Sequence, residues 1–213
     1  MSDTLSVAWA LAWIRDVQAV LAENRENLND LDRAIGDGDH GENMDRGMKA
    51  VVLKLADGAE DVQGVLKTVA STLMSTVGGA AGPLYGTAFL RAAKATEGDV
   101  DANGAVAIIA GALEGIVARG KATTGEKTMV DAWSPALDAA KAVAESGGTA
   151  AAAFLAAAEA ASKGSDDTIP LRASRRTRRQ PSLHPAPATR RPPWSSRRWW
   201  PCRVRRSRPV HRR

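Results

Sequence analysis

The sequence predicts an all-α protein. Apolar residues recur at helical spacing through most of the first 170 residues. No segment shows the sustained alternation of apolar and polar residues that indicates a strand. Glycine-rich stretches at 36–41, 78–86 and 120–125 fall between the apolar segments, where turns between helices are expected. A domain of this size buries roughly 70% of the surface of its unfolded chain, which is enough for a stable core.

The predicted helices follow one another with little intervening sequence. The apolar stripes that define five of them are Trp9, Trp13, Val17, Val20 and Leu21; Met44, Met48, Val51, Val52 and Leu55; Val62, Val65, Leu66, Val69 and Leu73; Val106, Ile109, Leu113, Ile116 and Val117; and Ala136, Leu137, Ala140 and Val143. Pro83 is typical of the first turn of a helix and predicts a further one after the second glycine-rich stretch. The alanine-rich segment TAAAAFLAAAEAASK, residues 149–163, is a strong helix former.

The charge of the chain divides it into two parts. Residues 1–171 hold all 24 acidic side chains and 14 of the 29 basic ones, a net charge of −10. Residues 172–213 hold 15 arginines and no acid, a net charge of +15. We therefore expect a domain at 1–171 and a separate basic, Arg/Pro/Trp-rich tail at 172–213.

The cysteine content, the N-terminus and the apolar runs of the sequence bear on the cellular compartment of the protein. Cys202 is the only cysteine, which excludes an internal disulfide framework and a cysteine zinc site. The N-terminus carries Asp3 and no basic residue before its apolar stretch, unlike a secretory leader. No run of 18 apolar residues predicts a membrane span. These features predict a cytoplasmic protein with no membrane partner.

The stretch LDRAIGDGDHGENMDRG, residues 31–47, crowds Asp32, Asp37 and Asp39 into one turn. Carboxylates held this close repel one another unless a cation or protons neutralise them. Their oxygens suit hard cations such as Mg²⁺, whereas an EF-hand is disfavoured because Met48 stands where its bidentate acid is needed. The alternative is an Asp/Gly turn in which Asp39 or His40 only caps the next helix.

Two further loops carry weaker signals. STVGGAAGPLYG, residues 75–86, allows close backbone approach and opens a helix whose N–H groups suit an anion, but it is not a Walker A motif. RGKATTGEKTMVDAWSP, residues 119–135, mixes lysines and threonines with Asp131. Taken singly, both are interpreted as connections between helices, with Asp131 near a cap.

The three loops together, in this order and at these separations, closely resemble the nucleotide-binding L subunits of dihydroxyacetone kinases. They are equally similar to the C-terminal nucleotide domain of single-chain, ATP-dependent dihydroxyacetone kinases. The resemblance covers residues 1 to about 171. It implies an antiparallel barrel of eight helices that binds ADP or ATP at one end.

The resemblance also implies site residues. Asp32, Asp37 and Asp39 match the aspartates that hold two Mg²⁺ ions against the phosphates. The matched nucleotide-binding positions are His40, Gly41, Glu42 and Asn43 at the phosphates and ribose, Ala80 and Ala81 in the glycine loop, and Gly120 and Met129 near the adenine. The family usually has serine where Ala81 stands, so one hydroxyl contact to phosphate is absent here.

The activity that the resemblance implies is a phosphotransferase-system kinase of glycerol metabolism. Bound ADP relays phosphate from a phosphohistidine on an M subunit to dihydroxyacetone on a K subunit, and the L subunit is expected as a homodimer. A first alternative is the nucleotide domain of an ATP-dependent kinase. A second is a non-enzymatic regulatory module that binds a transcription factor, or DNA through the basic tail.

The tail departs from the family. After Leu171 the family normally supplies an arginine, an Asp-Pro-Gly segment and the last barrel helix, and none is recognisable in residues 172–213. One interpretation is a disordered basic arm with Trp194, Trp199 and Trp200 available for base stacking. The other, which we favour, is a reading-frame shift, because reading PPWSSRRWWPC one base back restores an apolar helix. We therefore expect the last helix to be missing or disrupted and the chain to be a poor catalyst.

Overall fold

The computed structural model describes residues 4–33 and 36–168, and this part of the chain forms eight helices. They are α1 (Val7–Glu23), α2 (Arg25–Arg33), α3 (His40–Lys54), α4 (Val62–Thr76), α5 (Ala81–Lys94), α6 (Ala102–Gly120), α7 (Val130–Glu145) and α8 (Ala150–Asp167). The only β pairing in the described ranges is a single antiparallel bridge between Leu5 and Val100. The all-α prediction is confirmed. The boundary at residue 171, the basic tail and the expected loss of the last helix lie outside the described residues.

Side-chain caps fix where several helices begin. Asp61, Asp101 and Thr149 each accept a hydrogen bond from the backbone N–H three residues later, at 2.6, 2.7 and 3.2 Å. Such a cap satisfies one of the N–H groups that a helix leaves unpaired in its first turn. The starts of α4, α6 and α8 are therefore encoded locally.

The helices close into an antiparallel barrel. From α3 to α8 each helix packs on the next one in the chain through a short connection, so neighbours run in opposite directions. The helix α1 packs along α3 and α4. Its Trp9 ring stacks on Phe154 of α8 at 5.3 Å, and Trp13 lies 6.1 Å from Phe89 of α5. These aromatic contacts join the first helix to the later ones.

A cavity of about 90 Å³ lies inside the barrel. Its lining comes from six helices, namely α1, α4, α5, α6, α7 and α8, and is almost entirely apolar. Trp13, Phe89, Trp133 and Phe154 supply aromatic walls, and Tyr85 supplies a phenol. The hydrophobic core of the barrel therefore contains a small cavity.

The buried face of α6 differs from the predicted stripe. Val117, assigned to the core from spacing, is 40% exposed, whereas Ala105, Ile108 and Ala112 are buried. A Cβ at Gly115 would lie 2.8 Å from the carbonyl oxygen of Thr87, so α5 and α6 approach backbone to backbone along the small residues. The small residues therefore lie at the α5 contact, while Val117 at the edge of the predicted stripe is left exposed.

The helix α6 is also the one described helix that is long and apolar enough to cross a membrane by length and composition. Here it packs between α5 and α7 and contacts α8. Its apolar residues Ile109 and Ile116 are buried in the core of the barrel. Packing between helices accounts for its composition.

We predict that Tyr85 makes the fold sensitive to alkali. Burial raises the pKa of its phenol to about 12, against about 10 in an unfolded chain. Its contribution to stability is complete below the unfolded pKa of about 10 and is lost as the pH rises through about 12. Tyr85 is the only tyrosine in the chain. The tyrosinate difference spectrum should therefore appear only near pH 12 or together with unfolding.

The matched control for this titration is Tyr85→Phe, which keeps the ring and removes the ionisable hydroxyl. The melting temperature of this variant should fall less between about pH 10 and pH 12 than that of the parent chain. A tyrosinate signal near pH 10 in the folded parent, or equal alkaline melting of both proteins, would contradict the prediction.

Candidate functional site

The three loops singled out in the sequence lie at one end of the barrel. Because neighbouring helices alternate in direction, the N-termini of α3, α5 and α7 share this end with the C-termini of α4, α6 and α8. Arg46 of α3 donates to the carbonyl oxygen of Thr76 at the end of α4, at 3.3 Å. Lys127 donates to the carbonyl oxygen of Ser165 in α8, at 2.5 Å. These bonds join segments that are far apart in the sequence.

Three carboxylates converge in the first loop. Asp32, Asp37 and Asp39 each place one carboxylate oxygen so that all three oxygens lie within 4.8 Å of one another. Asp37 and Asp39 are exposed, and Asp32 is partly buried. An all-oxygen, acidic donor set of this kind fits Mg²⁺, which commonly takes one or two carboxylates together with phosphate oxygens and water.

Asp32 also shapes the loop that carries the other two carboxylates. Its Oδ2 accepts hydrogen bonds from the backbone N–H groups of Gly38, at 2.9 Å, and Asp39, at 3.2 Å. Asp39 occupies the cap position of α3, but its side chain makes no capping hydrogen bond. The interpretation of Asp39 as a simple helix cap is therefore wrong, and its carboxylate faces the cluster instead.

His40 begins α3 beside the carboxylates. Burial lowers the pKa of its imidazole below the ordinary value, although the charges of Asp32 and Asp39 act in the opposite direction. Burial therefore favours the neutral form of the imidazole, which adds no positive charge to the carboxylate cluster.

The remaining predicted residues of α3 differ in exposure. Gly41 is buried, Glu42 is exposed and Asn43 is half-buried. Asn43 Oδ1 accepts from the guanidinium of Arg46 at 2.5 Å, and a Cβ at Gly78 would lie 3.7 Å from it. Asn43 therefore connects the first loop to the second.

The second loop leads into α5 without a side-chain cap. Ala80 is exposed at the cap position, and Ala81 is the first residue of the helix. Pro83 lies in the first turn, as predicted. An uncapped helix N-terminus presents backbone N–H donors and the positive end of the helix dipole, which favour an anion.

The third loop brings Gly120 and Met129 to the same end. Gly120 is the exposed last residue of α6, and a Cβ there would lie 3.6 Å from Leu84 of α5. Met129 caps α7 and lines the interior cavity. Asp131 is buried and folds the loop back, since it accepts from the N–H of Gly125 at 2.5 Å and of Thr128 at 2.9 Å.

Sequence reasoning missed Arg46 and Asn29. Arg46 places a guanidinium between the first and second loops. Asn29 is buried in α2 and accepts from two backbone N–H groups at the start of α3. The sequence did carry a signal for Asn29. It precedes Asp32 by three residues in a short, polar helix, so the two side chains lie on neighbouring turns of one helix face.

A sequence model described as the DAK2 domain matches residues 34–180, which include the second and third loops and the first loop from residue 34 onward. The chain belongs to the DAK2 domain family. Its sequence is similar to the PEP-dependent dihydroxyacetone kinase 1, ADP-binding subunit DhaL, of Listeria innocua. The two are 48% identical over 133 residues, which cover 62% of this chain and 67% of that relative.

A second relative of this DAK2 domain is the PEP-dependent dihydroxyacetone kinase, ADP-binding subunit DhaL, of Escherichia coli. It is 37% identical over 173 residues, which cover 80% of this chain and 82% of the relative. The relatives are thus components of a kinase. The family resemblance predicted from the three loops is confirmed.

The fold of this DAK2 domain is that of a solved kinase domain. The crystal structure of the dihydroxyacetone kinase from C. freundii in complex with AMP-PNP and Mg²⁺ matches with a TM-score of 0.58 at 24% identity. The match covers 74% of this chain but only 29% of that one. The comparison supports the helical barrel and carries no residue assignment.

We predict that Asp131 holds the third loop of this DAK2 domain in place. Asp131→Ala leaves the N–H groups of Gly125 and Thr128 without their acceptor, which typically costs about 1–3 kcal/mol. In a domain of this size the melting temperature should fall by roughly 2–4 °C for each kcal/mol. Amide exchange at Gly125 and Thr128 should speed up.

The matched control is Asp138→Ala, which removes the same charge from an exposed position of the same helix. It should leave both the melting temperature and the exchange rates of the loop unchanged. Equal effects of the two substitutions would contradict the assignment of Asp131 as the residue that holds the loop.

Proposed function

We propose that this protein is the nucleotide-binding phosphotransfer subunit of a dihydroxyacetone kinase. The observation that carries the proposal is the set of three carboxylates within 4.8 Å, at the barrel end that also holds the uncapped N-terminus of α5. A cation site beside an anion site fits a metal-bound polyphosphate better than either a free cation or a free anion.

The proposed roles are those that the family resemblance implies. Asp32, Asp37 and Asp39 hold two Mg²⁺ ions, which neutralise phosphate charge when bound. The proposed nucleotide-binding residues are His40, Gly41, Glu42 and Asn43 of α3, Ala80 and Ala81 at α5, and Gly120 and Met129 of the third loop. Arg46 adds a positive charge between the first two loops. Phosphoryl transfer needs chiefly such positioning and charge neutralisation, and no side-chain nucleophile.

We propose that the nucleotide is ADP acting as a relay in a phosphotransferase system of the cytoplasm. Phosphate passes from a phosphohistidine on an M subunit to dihydroxyacetone on a K subunit. The two relatives named above support this version over an ATP-dependent one, because both are called PEP-dependent and ADP-binding. We also propose that this subunit forms a homodimer.

We propose that the basic tail, residues 172–213, is not part of the nucleotide-binding domain. The family match ends at residue 180 and leaves 181–213 unmatched, which supports a change of character near the proposed boundary at 171. We propose that the chain as written turns over slowly for this reason. The alternative role is a regulatory module that binds a transcription factor, or DNA through the basic tail, and the DNA-binding version rests on the charge of residues 172–213 alone.

We predict that Asp37→Asn weakens binding of Mg-ADP to the full chain. Each carboxylate of the cluster balances positive charge on a metal, so the loss in affinity should be at least about tenfold. The melting temperature of the metal-free protein should stay the same or rise slightly, because repulsion within the cluster falls. Titration calorimetry with ADP, with and without Mg²⁺, together with thermal melting measures both effects.

The control is Asp57→Asn, the same charge change at an exposed turn between α3 and α4, at the other end of the barrel. It should bind Mg-ADP as the parent does. Normal affinity in Asp37→Asn, or metal-independent binding of ADP by the parent, would count against the metal assignment.

We predict that repeated transfer of phosphate to dihydroxyacetone requires both a phosphohistidine donor and a K subunit. Free ATP in place of the donor should support a single transfer at most, because the ADP formed stays bound and needs the donor for renewal. Sustained turnover with ATP alone would instead assign the chain to the ATP-dependent version.

A further inference from the structure

The N-terminus of α3 is capped by a side chain from another helix. Asn29 of α2 is 4% exposed, and its Oδ1 accepts from the backbone N–H of Gly41 at 2.7 Å and of Glu42 at 3.2 Å. The residue at the cap position, Asp39, makes no such bond. The first turn of α3 is therefore satisfied from 12 residues upstream.

The backbone of α2 lies directly against this turn. A Cβ at Gly41 would lie 2.0 Å from the carbonyl oxygen of Arg25, so only glycine allows the two helices to approach as they do. The guanidinium of Arg25 also lies 3.5 Å from the carboxylate of Glu42. The amide of Asn29 is thus part of a tight contact between α2 and the start of α3.

The same helix holds both ends of the loop that carries the carboxylates. Asp32 accepts from the N–H groups of Gly38 and Asp39 on one side, and Asn29 accepts from the start of α3 on the other. The positions of Asp37 and Asp39 relative to Asp32 therefore depend on both acceptors. Loss of Asn29 would leave α3 free to move relative to α2.

We propose that Asn29 is a positioning residue that sets the separation of the three carboxylates in the metal–nucleotide site. The inference rests on the proposed function. Asn29 also occupies two N–H groups that a helix N-terminus otherwise offers to an anion. These two N–H groups are then unavailable to phosphate, whereas α5, whose cap residue Ala80 makes no side-chain bond, still offers its own.

The first experiment compares Asn29→Ala with Asn24→Ala in the full chain. Asn24 is the matched control, because its side-chain amide also bonds to the backbone, but it donates to the carbonyl oxygen of Val20 in α1, at 2.8 Å. The probes are Mn²⁺ alone, followed by electron paramagnetic resonance, and Mg-ADP, followed by calorimetry. Asn29→Ala should weaken both by about tenfold or more, the usual effect of removing an outer-shell partner, and Asn24→Ala should weaken neither.

The second experiment has a readout that general destabilisation does not produce. In the metal-free parent, the amides of Gly41 and Glu42 should exchange slowly, and Asn29→Ala should expose these two selectively. Asn29→Asp keeps an acceptor oxygen, so it should restore their protection. If Asn29→Ala does not fold, Asn29→Asp still decides the question, because unprotected amides at Gly41 and Glu42 in that variant would overturn the proposal.

The two proposals fail in different ways. If the parent chain binds no Mg-ADP, the proposed function is wrong, while amide exchange and Mn²⁺ binding still report on Asn29. If the parent binds Mg-ADP and a folded Asn29→Ala binds Mn²⁺ and Mg-ADP equally well, Asn29 is only a structural residue and the inference is wrong.

Discussion

Repulsion among three carboxylates is the constraint around which this end of the barrel is organised. Asp32, Asp37 and Asp39 lie within 4.8 Å of one another. Burial lowers the pKa of the neighbouring His40, which favours the neutral form of its imidazole. An arrangement of this kind is stable only when the surrounding structure holds it in place.

The surrounding structure supplies that support through hydrogen bonds to backbone amides. Asp32 and Asn29 hold the first loop from α2. Asp131 holds the third loop in the same manner. In each case a short polar side chain on a helix fixes a glycine-containing segment that has no regular structure of its own. These hydrogen bonds tie the described parts of both loops to the helices.

The helical barrel gives these loops a common location. The N-termini of α3, α5 and α7 meet at one end, and their dipoles add positive potential where polyphosphate charge is expected. The two starts near the carboxylates are not equivalent, because α3 is capped by Asn29 while α5 has no side-chain cap.

The sequence by itself determined the helices, the three loops and the family. Apolar spacing is a local property, and the caps at Asp61, Asp101 and Thr149 act within three residues, so both can be read without a partner. The crowding of the aspartates is equally local. The roles of the individual site residues stay predictions, since the structure gives their positions and not their ligands.

Only the tertiary structure decided which face of α6 is buried, how the loops meet and what holds them. Spacing assigned Val117 to the core, but it is 40% exposed, whereas α5 and α6 approach closely at Gly115. Asn29 reaches an amide 12 residues away, and Lys127 reaches a carbonyl 38 residues away. Such contacts depend on how whole helices pack, and the periodicity of a single helix carries no information about its neighbours.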